Sequence, residues 1–322
     1  MNKIKWGIIG PGNIAHKFAD ALSTLQDGKL CAVASRSKEK SEGFGKEYGV
    51  SKHKCYGSYE ELANDKDIDV VYVAAPIAFH TELSILCLKS GKAVLCEKTV
   101  AMNEQEAKEI IKVAQDHKVF FMEAMWTRFL PIYEQVNTWI NDGLIGEVRM
   151  FQADFGISRQ LSPEGLKLNK KLGGGALLDI GIYPVSLCHY LFDAIPNNVK
   201  SIAFIGETGV DVQTSINLGF EDGRVAAFCC SLNAEAQGGG HIMGTKGRIA
   251  LPQYWKCEKA ILFCDGKEEE VSIPHKCNGY EFEIQEVMNC INNGKLESDK
   301  MNWNKSIEVM YTLDLIRAEW NV

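Results

Sequence analysis

Several things are missing from this 322-residue sequence, and each absence removes a class of function. Its longest apolar stretches, such as VVYVAAPIAF, stop well short of the roughly 20 residues that a bilayer crossing needs, so no membrane span is expected. Positive charge is not in excess: 35 Lys and Arg stand against 42 Asp and Glu, a net charge of −7, and no basic stripe steers the chain toward nucleic acid or an anionic surface. The opening MNKIKWGIIG runs directly into a strand-like segment without the apolar core of a signal peptide, which sets the expectation of a cytoplasmic protein. Neither Cys-x-x-Cys nor His-Glu-x-x-His occurs, so no metal site is expected. The 11 cysteines are odd in number and scattered, and they include the adjacent pair Cys229 and Cys230; this is no secreted disulfide framework, and buried reduced thiols are expected. Internal repeats, low-complexity segments and long linkers are absent too.

What is present reads as an ordinary globular protein, 46% hydrophobic and 24% charged. The length suggests two domains. From residue 1 to about 123, the apolar runs IKWGIIG, LCAVAS, DVVYVAA, AVLCE and VFFMEA alternate with helix-length stretches. That alternation predicts an α/β domain, a doubly wound parallel sheet of Rossmann type. Residues 124–322 change grain. Two helical stretches, YEQVNTWIND and YPVSLCHYLF, precede runs with two-residue alternation, VQTSINLGF and RVAAFCCSL, and then the hairpin-like HIMGTKGRIAL. This predicts an α+β domain on an open, mainly antiparallel sheet, with a C-terminal helix at about 304–320 placed to pack back on the first domain.

GIIGPGNIAHKF puts Gly10, Gly12 and Ala15 in a Gly-x-Gly-x-x-Ala pattern directly after the first strand. Gly10 permits a tight turn, Gly12 lets the backbone approach a pyrophosphate, and the helix opening at Asn13 and Ile14 offers amide donors to the phosphates. At the end of the second strand, where NAD-preferring folds place a carboxylate for the ribose, the chain reads ASRSKEK. Ser35, Arg36 and Lys38 offer a hydroxyl and two cations, which favours NADP, with Arg36 on the 2′-phosphate and NAD as the alternative. In doubly wound folds the ligand lies at the carboxyl ends of the strands. Ala75 and Pro76 fall there, as do Glu97 and Lys98. A lysine near nicotinamide C4 can hydrogen-bond a substrate hydroxyl, although a lysine at a strand end is most often simply exposed.

These stretches, with APIAFH at 75–80, EKT at 97–99, EAMWTRFLP at 123–131, LGGGALLDIGIYPV at 172–185 and GTKGRI at 244–249, resemble the Gfo/Idh/MocA oxidoreductase family over nearly the whole chain. The pair EAMWTRFLP and GGGALLDIGIYP looks like the branch of dihydrodiol and NADP-dependent D-xylose dehydrogenases. The resemblance implies that Lys98 assists proton transfer and that Asp179 and Tyr183 complete the site, with Tyr183 as the acid/base. It groups His80 with the cofactor residues, a helix-cap or packing role being the alternative, and it offers Trp126, Arg128, Arg149, Phe155, Asp179, Trp255 and Tyr280 as a substrate lining. Aromatic walls with a few cations suit a cyclic polyol.

Two departures from the family pattern stand out: Thr99 replaces the proline of Glu-Lys-Pro, and Ile77 replaces the asparagine of Pro-Asn. The implied activity is hydride transfer between a secondary alcohol or sugar C1, such as a trans-dihydrodiol or D-xylose, and NADP. An inositol-like polyol dehydrogenase or a non-catalytic dinucleotide-binding sensor are the alternatives. The resemblance also implies a homodimer or homotetramer formed through the second-domain sheet.

Overall fold

The apolar runs of the N-terminal half form parallel strands in the computed structural model, which describes residues 3–158 and 160–320. They are β1 (Ile4–Ile9), β2 (Gly28–Ala34), β3 (Cys55–Tyr56), β4 (Val70–Val73), β5 (Ala93–Glu97) and β6 (Phe121–Ala124), in the order β3-β2-β1-β4-β5-β6. Helices α1 (Asn13–Ser23), α2 (Lys38–Glu47), α3 (Tyr59–Ala63), α4 (His80–Lys89) and α5 (Glu104–His117) make the crossovers. Every residue of β4 and β5 is buried, which is why these strands read as unbroken apolar runs. The strand order reverses between β1 and β4, and in such sheets that switch point opens a crevice at the carboxyl ends of the strands. Asn103 caps α5 by accepting from the Glu106 N–H at 2.9 Å, as its Asn-x-x-Glu spacing predicts. The short β3 and α3 have too few residues to display a period and are invisible to pattern reading.

The second unit spans Thr127–His275 and Glu308–Val322. Helix α6 (Ile132–Asn141) leads to β7 (Val148–Gly156), α7 (Ile182–Phe192) and the strands β8 (Asn198–Ile205), β9 (Asp211–Gly219), β10 (Val225–Ser231), β11 (Gly239–Gly244), β12 (Gly247–Pro252), β13 (Lys259–Cys264) and β14 (Lys267–Ser272). The sheet order is β14-β13-β12-β11-β7-β10-β9-β8, and only the β7–β10 pairing is parallel. Along β9, Thr214, Ile216 and Leu218 are buried while Gln213, Ser215 and Asn217 are exposed, so one face of the sheet makes core and the other stays open.

Between the two parts of the second unit the chain rejoins the first, whose residues are Met1–Trp126 and Lys276–Ile307. The sequence reads as a second domain over 124–322 whose C-terminal helix, at about 304–320, packs back on the first. Helix α8 (Tyr280–Asn292) packs on α1, and Asn278 Nδ2 donates to the Lys17 carbonyl at 2.9 Å. The final helix, α9 (Trp303–Ala318), starts in the first unit and continues in the second, with the division between Ile307 and Glu308. Helical periodicity marks such segments as helices and carries no information about which core receives them.

One stretch, Lys170–Phe192, is long and apolar enough by length and composition to cross a membrane, which a scan for unbroken apolar runs does not find. Its apolar window is 83% buried inside the protein, the setting of a core helix. It contains a π-helical turn, Leu177–Gly181, in front of α7. Asp211 holds the start of that turn: its Oδ2 accepts from the Leu177 N–H at 2.7 Å and from the Thr214 hydroxyl at 3.1 Å. Gly175, at φ +133°, makes room for it, since a Cβ there would lie 2.3 Å from Asp211 Oδ1.

Burial raises the Asp211 pKa from 3.8 to about 6, against the pull of those two donors. The native state therefore binds this proton more tightly than the unfolded chain does. Its stabilising contribution is complete below pH 4 and disappears as pH rises through about 6. Asp211→Asn keeps an acceptor and removes the titration, so the stability of wild type relative to the variant should fall by about 2–3 kcal/mol between pH 4 and pH 7. Urea unfolding of both proteins across that range checks this, and a difference that is flat with pH would disprove it.

Candidate active site

At the end of β1 the chain turns on Gly10, whose φ of +87° is a left-handed conformation. A Cβ at Gly10 would lie 2.8 Å from the Ala74 carbonyl, so the turn needs glycine twice over. Gly12 is different: a Cβ there would meet nothing within 4 Å. Packing does not require glycine at this position, but close approach of a ligand to the backbone would. Gly12 also N-caps α1 with no side-chain cap, leaving the first amides of Asn13 and Ile14 directed outward. At the end of β2, Ser35 is buried and Arg36 is exposed with its guanidinium 5.7 Å from the centre of the Phe79 ring. The nearby Glu39 accepts from the Ser37 hydroxyl at 2.8 Å. Arg36 and Lys38 are in no ion pair among the described residues. This donor set fits a dinucleotide at the β1–α1 turn.

Two neighbouring loops follow β4 and β5. Ala75 and Pro76 are half-buried, and Ile77 opens a short 3-10 turn that runs into α4. Lys98 is half-buried, directly after the last residue of β5. Its backbone N–H donates to Glu97 Oε2 at 3.1 Å, and Glu97 Oε1 takes the Tyr72 hydroxyl. Burial raises the Glu97 pKa, while the Tyr72 hydrogen bond and the charge of Lys98 oppose it. Nearby Glu283 is fully buried, and burial followed by the field of Glu97 pushes its pKa well above the carboxylate range. Glu97 and His80 were grouped with the cofactor residues. Here Glu97 is 6% and His80 1% exposed, and the carboxylate and imidazole bond to the protein behind the crevice wall.

In the second unit, Asp179 lies in the π turn and Tyr183 on the first turn of α7. Lys167 donates to Asp179 Oδ2, and the Lys167 carbonyl accepts from the Gly175 N–H at 2.9 Å, so the strand of loop and the π turn are tied together. Phe155, at the end of β7, stacks on Trp255 with ring centres 3.7 Å apart and planes at 14°, and lies 5.9 Å from the Tyr183 ring. Trp255 is held by its carbonyl, which accepts from Thr127 Oγ1 at 2.7 Å, and its indole lies over Gly238, where a Cβ would come within 2.6 Å of Cη2. A carboxylate, a phenol and a half-buried aromatic pair thus occupy one neighbourhood. Such a surface can pack an apolar ring face while bonding a hydroxyl.

The other four residues of the expected substrate lining are Arg128, Arg149, Trp126 and Tyr280. Arg128 is 5% exposed and donates from Nε to Ser186 Oγ and from Nη2 to the Ser186 carbonyl, both at 2.9 Å, which makes it a brace for α7. Arg149 is exposed and ion-paired with Glu147, six residues along β7 from Phe155, or about 20 Å at strand rise. Trp126 and Tyr280, in the first unit, are stacked on each other at 4.8 Å and nearly fully buried. Sequence reasoning missed Asp211 and Lys167, which position the Asp179 turn, because neither belongs to a periodic pattern.

The architecture and these motifs agree with comparisons to known proteins. Residues 4–125 match the model of an oxidoreductase family with an NAD-binding Rossmann fold, and residues 133–250 match the GFO/IDH/MocA C-terminal domain. Trans-1,2-dihydrobenzene-1,2-diol dehydrogenase of Xenopus laevis is 38% identical over 322 residues, covering 96% of each chain. The Homo sapiens protein of that name is 31% identical, covering 98% of this chain and 96% of its own. An aldose-aldose oxidoreductase from Caulobacter crescentus superimposes with a TM-score of 0.91 at 22% identity, covering 99% of this chain and 97% of that one. A 3-ketoreductase from Actinomadura kijaniata, solved with NADP, does so at 0.88 and 24% identity, covering 99% and 98%. Carrying both family domains in order and aligning end to end with curated dehydrogenases, the chain belongs to the Gfo/Idh/MocA family of NAD(P)-dependent oxidoreductases.

Proposed function

We propose that this protein is an NADP-dependent dehydrogenase of a small cyclic diol or sugar, with a trans-dihydrodiol or a pentose such as D-xylose as substrate. The observation that carries the reading is the Asp179–Tyr183 pair beside the stacked Phe155 and Trp255, an arrangement that suits a ring bearing hydroxyls. Full-length likeness to dihydrodiol dehydrogenases supports it. The Gly10–Ile14 turn would hold the pyrophosphate, and Arg36 with Lys38 the 2′-phosphate, two cations in place of a ribose-binding carboxylate. When bound, the nicotinamide supplies the hydride acceptor. Tyr183 takes the hydroxyl proton as the C–H bond breaks, Lys98 orients and polarises that hydroxyl, and Asp179 bonds the substrate.

The same reading puts the protein in the cytoplasm as a homodimer or homotetramer. The support for assembly is the open face of the second-unit sheet, which exposes 79% of Ile202, 59% of Phe204 and 44% of Val225. A groove of about 430 Å³ along it is lined by these first two residues, Thr214, Cys229 and others. Ile202 and Phe204 stand two residues apart on the edge strand β8 and are the apolar part of that face, the part a subunit contact would cover.

Three measurements test the proposal. Arg36→Ala should weaken NADPH binding by about tenfold while leaving NADH nearly unchanged, as read by nicotinamide fluorescence; equal effects on both would remove the 2′-phosphate assignment. Lys98→Met should keep NADPH affinity while turnover of dihydrodiols and pentoses falls by at least about 100-fold. A fully active Lys98→Met protein would end the proposed mechanism. Ile202→Asp combined with Phe204→Asp should give monomers in light scattering if the sheet face is the subunit interface, and an unchanged mass would place assembly elsewhere.

A further inference from the structure

Lys167 belongs to none of the motifs in the sequence, yet the loop that carries it is closely built. The chain turns at Gly165, whose carbonyl accepts from the N–H groups of Leu168 at 3.1 Å and Asn169 at 3.0 Å, and the Asn169 carbonyl accepts from the Gly174 N–H at 3.0 Å. The Lys167 carbonyl takes the Gly175 N–H at 2.9 Å. A Cβ on Gly174 would stand 2.7 Å from that same Lys167 oxygen and 2.8 Å from the Leu166 oxygen, so the loop lies against the glycines more closely than a larger residue would allow. Leu168 packs against the small core of Ala176, Ile180, Cys230 and Leu232. The backbone of Lys167 is therefore anchored to the same stretch, 174–180, that carries Asp179.

The ammonium donates to Asp179 Oδ2, and among the described residues it has no other partner. An ammonium carries three N–H donors and a carboxylate about four acceptor sites, so one bond between them exhausts neither. Both side chains reach solvent, Lys167 at 37% and Asp179 at 23% exposure, and an ion pair so placed adds little to stability. Asp179 precedes Tyr183 by four residues, a spacing at which side chains on one helical face stand roughly 5–6 Å apart. The Phe155 ring lies 5.9 Å from the Tyr183 ring and stacks on Trp255. A hydroxyl donates and accepts at once: set across the pair, it gives its hydrogen to Asp179 and takes one from Lys167, both bonds strengthened by charge. Hydroxyls on adjacent ring carbons are one carbon–carbon bond apart, which suits one at Tyr183 and its neighbour at the ion pair.

We propose that Lys167, together with Asp179, forms the subsite for the hydroxyl next to the one that reacts, and so makes the protein selective for vicinal diols over simple alcohols. This rests on the dehydrogenase reading for the role of Tyr183, and it adds the residue that tells one ring alcohol from another. The second hydroxyl is held and left unchanged. The C–H bond that breaks is on the carbon whose hydroxyl faces Tyr183; its hydride goes to the nicotinamide, the hydroxyl proton goes to Tyr183, and a diol leaves as the hydroxyketone.

The test sets trans-cyclohexane-1,2-diol against cyclohexanol, which differ by the second hydroxyl, in wild type, Lys167→Met and Lys167→Arg. Wild type should prefer the diol in kcat/KM by about 10- to 100-fold, the scale of one hydrogen bond to a charged group. Lys167→Met should bring the two substrates within a few-fold of each other by losing activity on the diol and not on the alcohol. Lys167→Arg, which keeps a cation with several donors, should restore most of the preference. A lysine that only ties the loop to the π turn would, when replaced, lower both activities together with the melting temperature and leave their ratio unchanged. That result, or equal activity of wild type on the two substrates, refutes the subsite. If wild type oxidises neither compound, the dehydrogenase reading fails separately, and ligand-observed NMR of the same two compounds decides. Tighter binding of the diol by wild type that is lost in Lys167→Met upholds the subsite; any other pattern, absence of binding included, removes it.

Discussion

Burying a charge at the last residue of a central strand is the constraint from which the arrangement of the first unit's strand-end loops follows. Glu97 closes β5 at 6% exposure, and a carboxylate in that position must find donors or give up its charge. It finds the Tyr72 hydroxyl on the neighbouring β4 and the N–H of Lys98. The second of these matters for function, because satisfying Glu97 fixes the backbone of the lysine that follows. Tyr72 is itself sandwiched, its ring stacked on Phe18 of α1 at 3.8 Å. The helix that presents its N-terminus at the phosphate turn and the strand that presents Lys98 are thus joined through one buried tyrosine. Glu283, driven toward its neutral form by burial and by Glu97, leaves the negative charge with the carboxylate that has donors.

The second unit solves a similar problem by different means. Asp179 is carried on a π turn, and that turn needs an acceptor for its first amide and space for the acceptor. Asp211 supplies the first and Gly175 the second. Trp255 needs a flat neighbour, and Gly238 provides one. In both units the functional side chain stands in one layer while the residue that positions it lies behind, buried and bonded to backbone.

That layering explains what the sequence could and could not disclose. The parallel domain was legible because β1, β2, β4, β5 and β6 are each long enough and apolar enough to show, and because Gly10 sits in a left-handed conformation against the Ala74 carbonyl that only glycine meets. Lys98, Asp179, Tyr183, Phe155 and Trp255 are singled out by motif resemblance, not by periodicity. For Arg128, Arg149, Trp126 and Tyr280, residue type says that a side chain is large or charged, and only packing says what it touches. Asp211, Lys167 and the return of α8 to the first unit were hidden because each acts across a long sequence separation, 34 residues between Asp211 and Leu177, and far more between Asn278 and Lys17. No local period encodes such a partnership.

The replacement of the family's proline by Thr99 becomes intelligible on the same grounds. Thr99 is fully buried, and what His80 takes from it is its carbonyl oxygen. Proline and threonine both present that oxygen, so the contact is indifferent to the side chain at residue 99. The same holds at Ala75, whose carbonyl is the partner and whose methyl group is not. A site held through backbone acceptors tolerates substitution at the positions it grips, and concentrates its sequence requirement in the gripping residue.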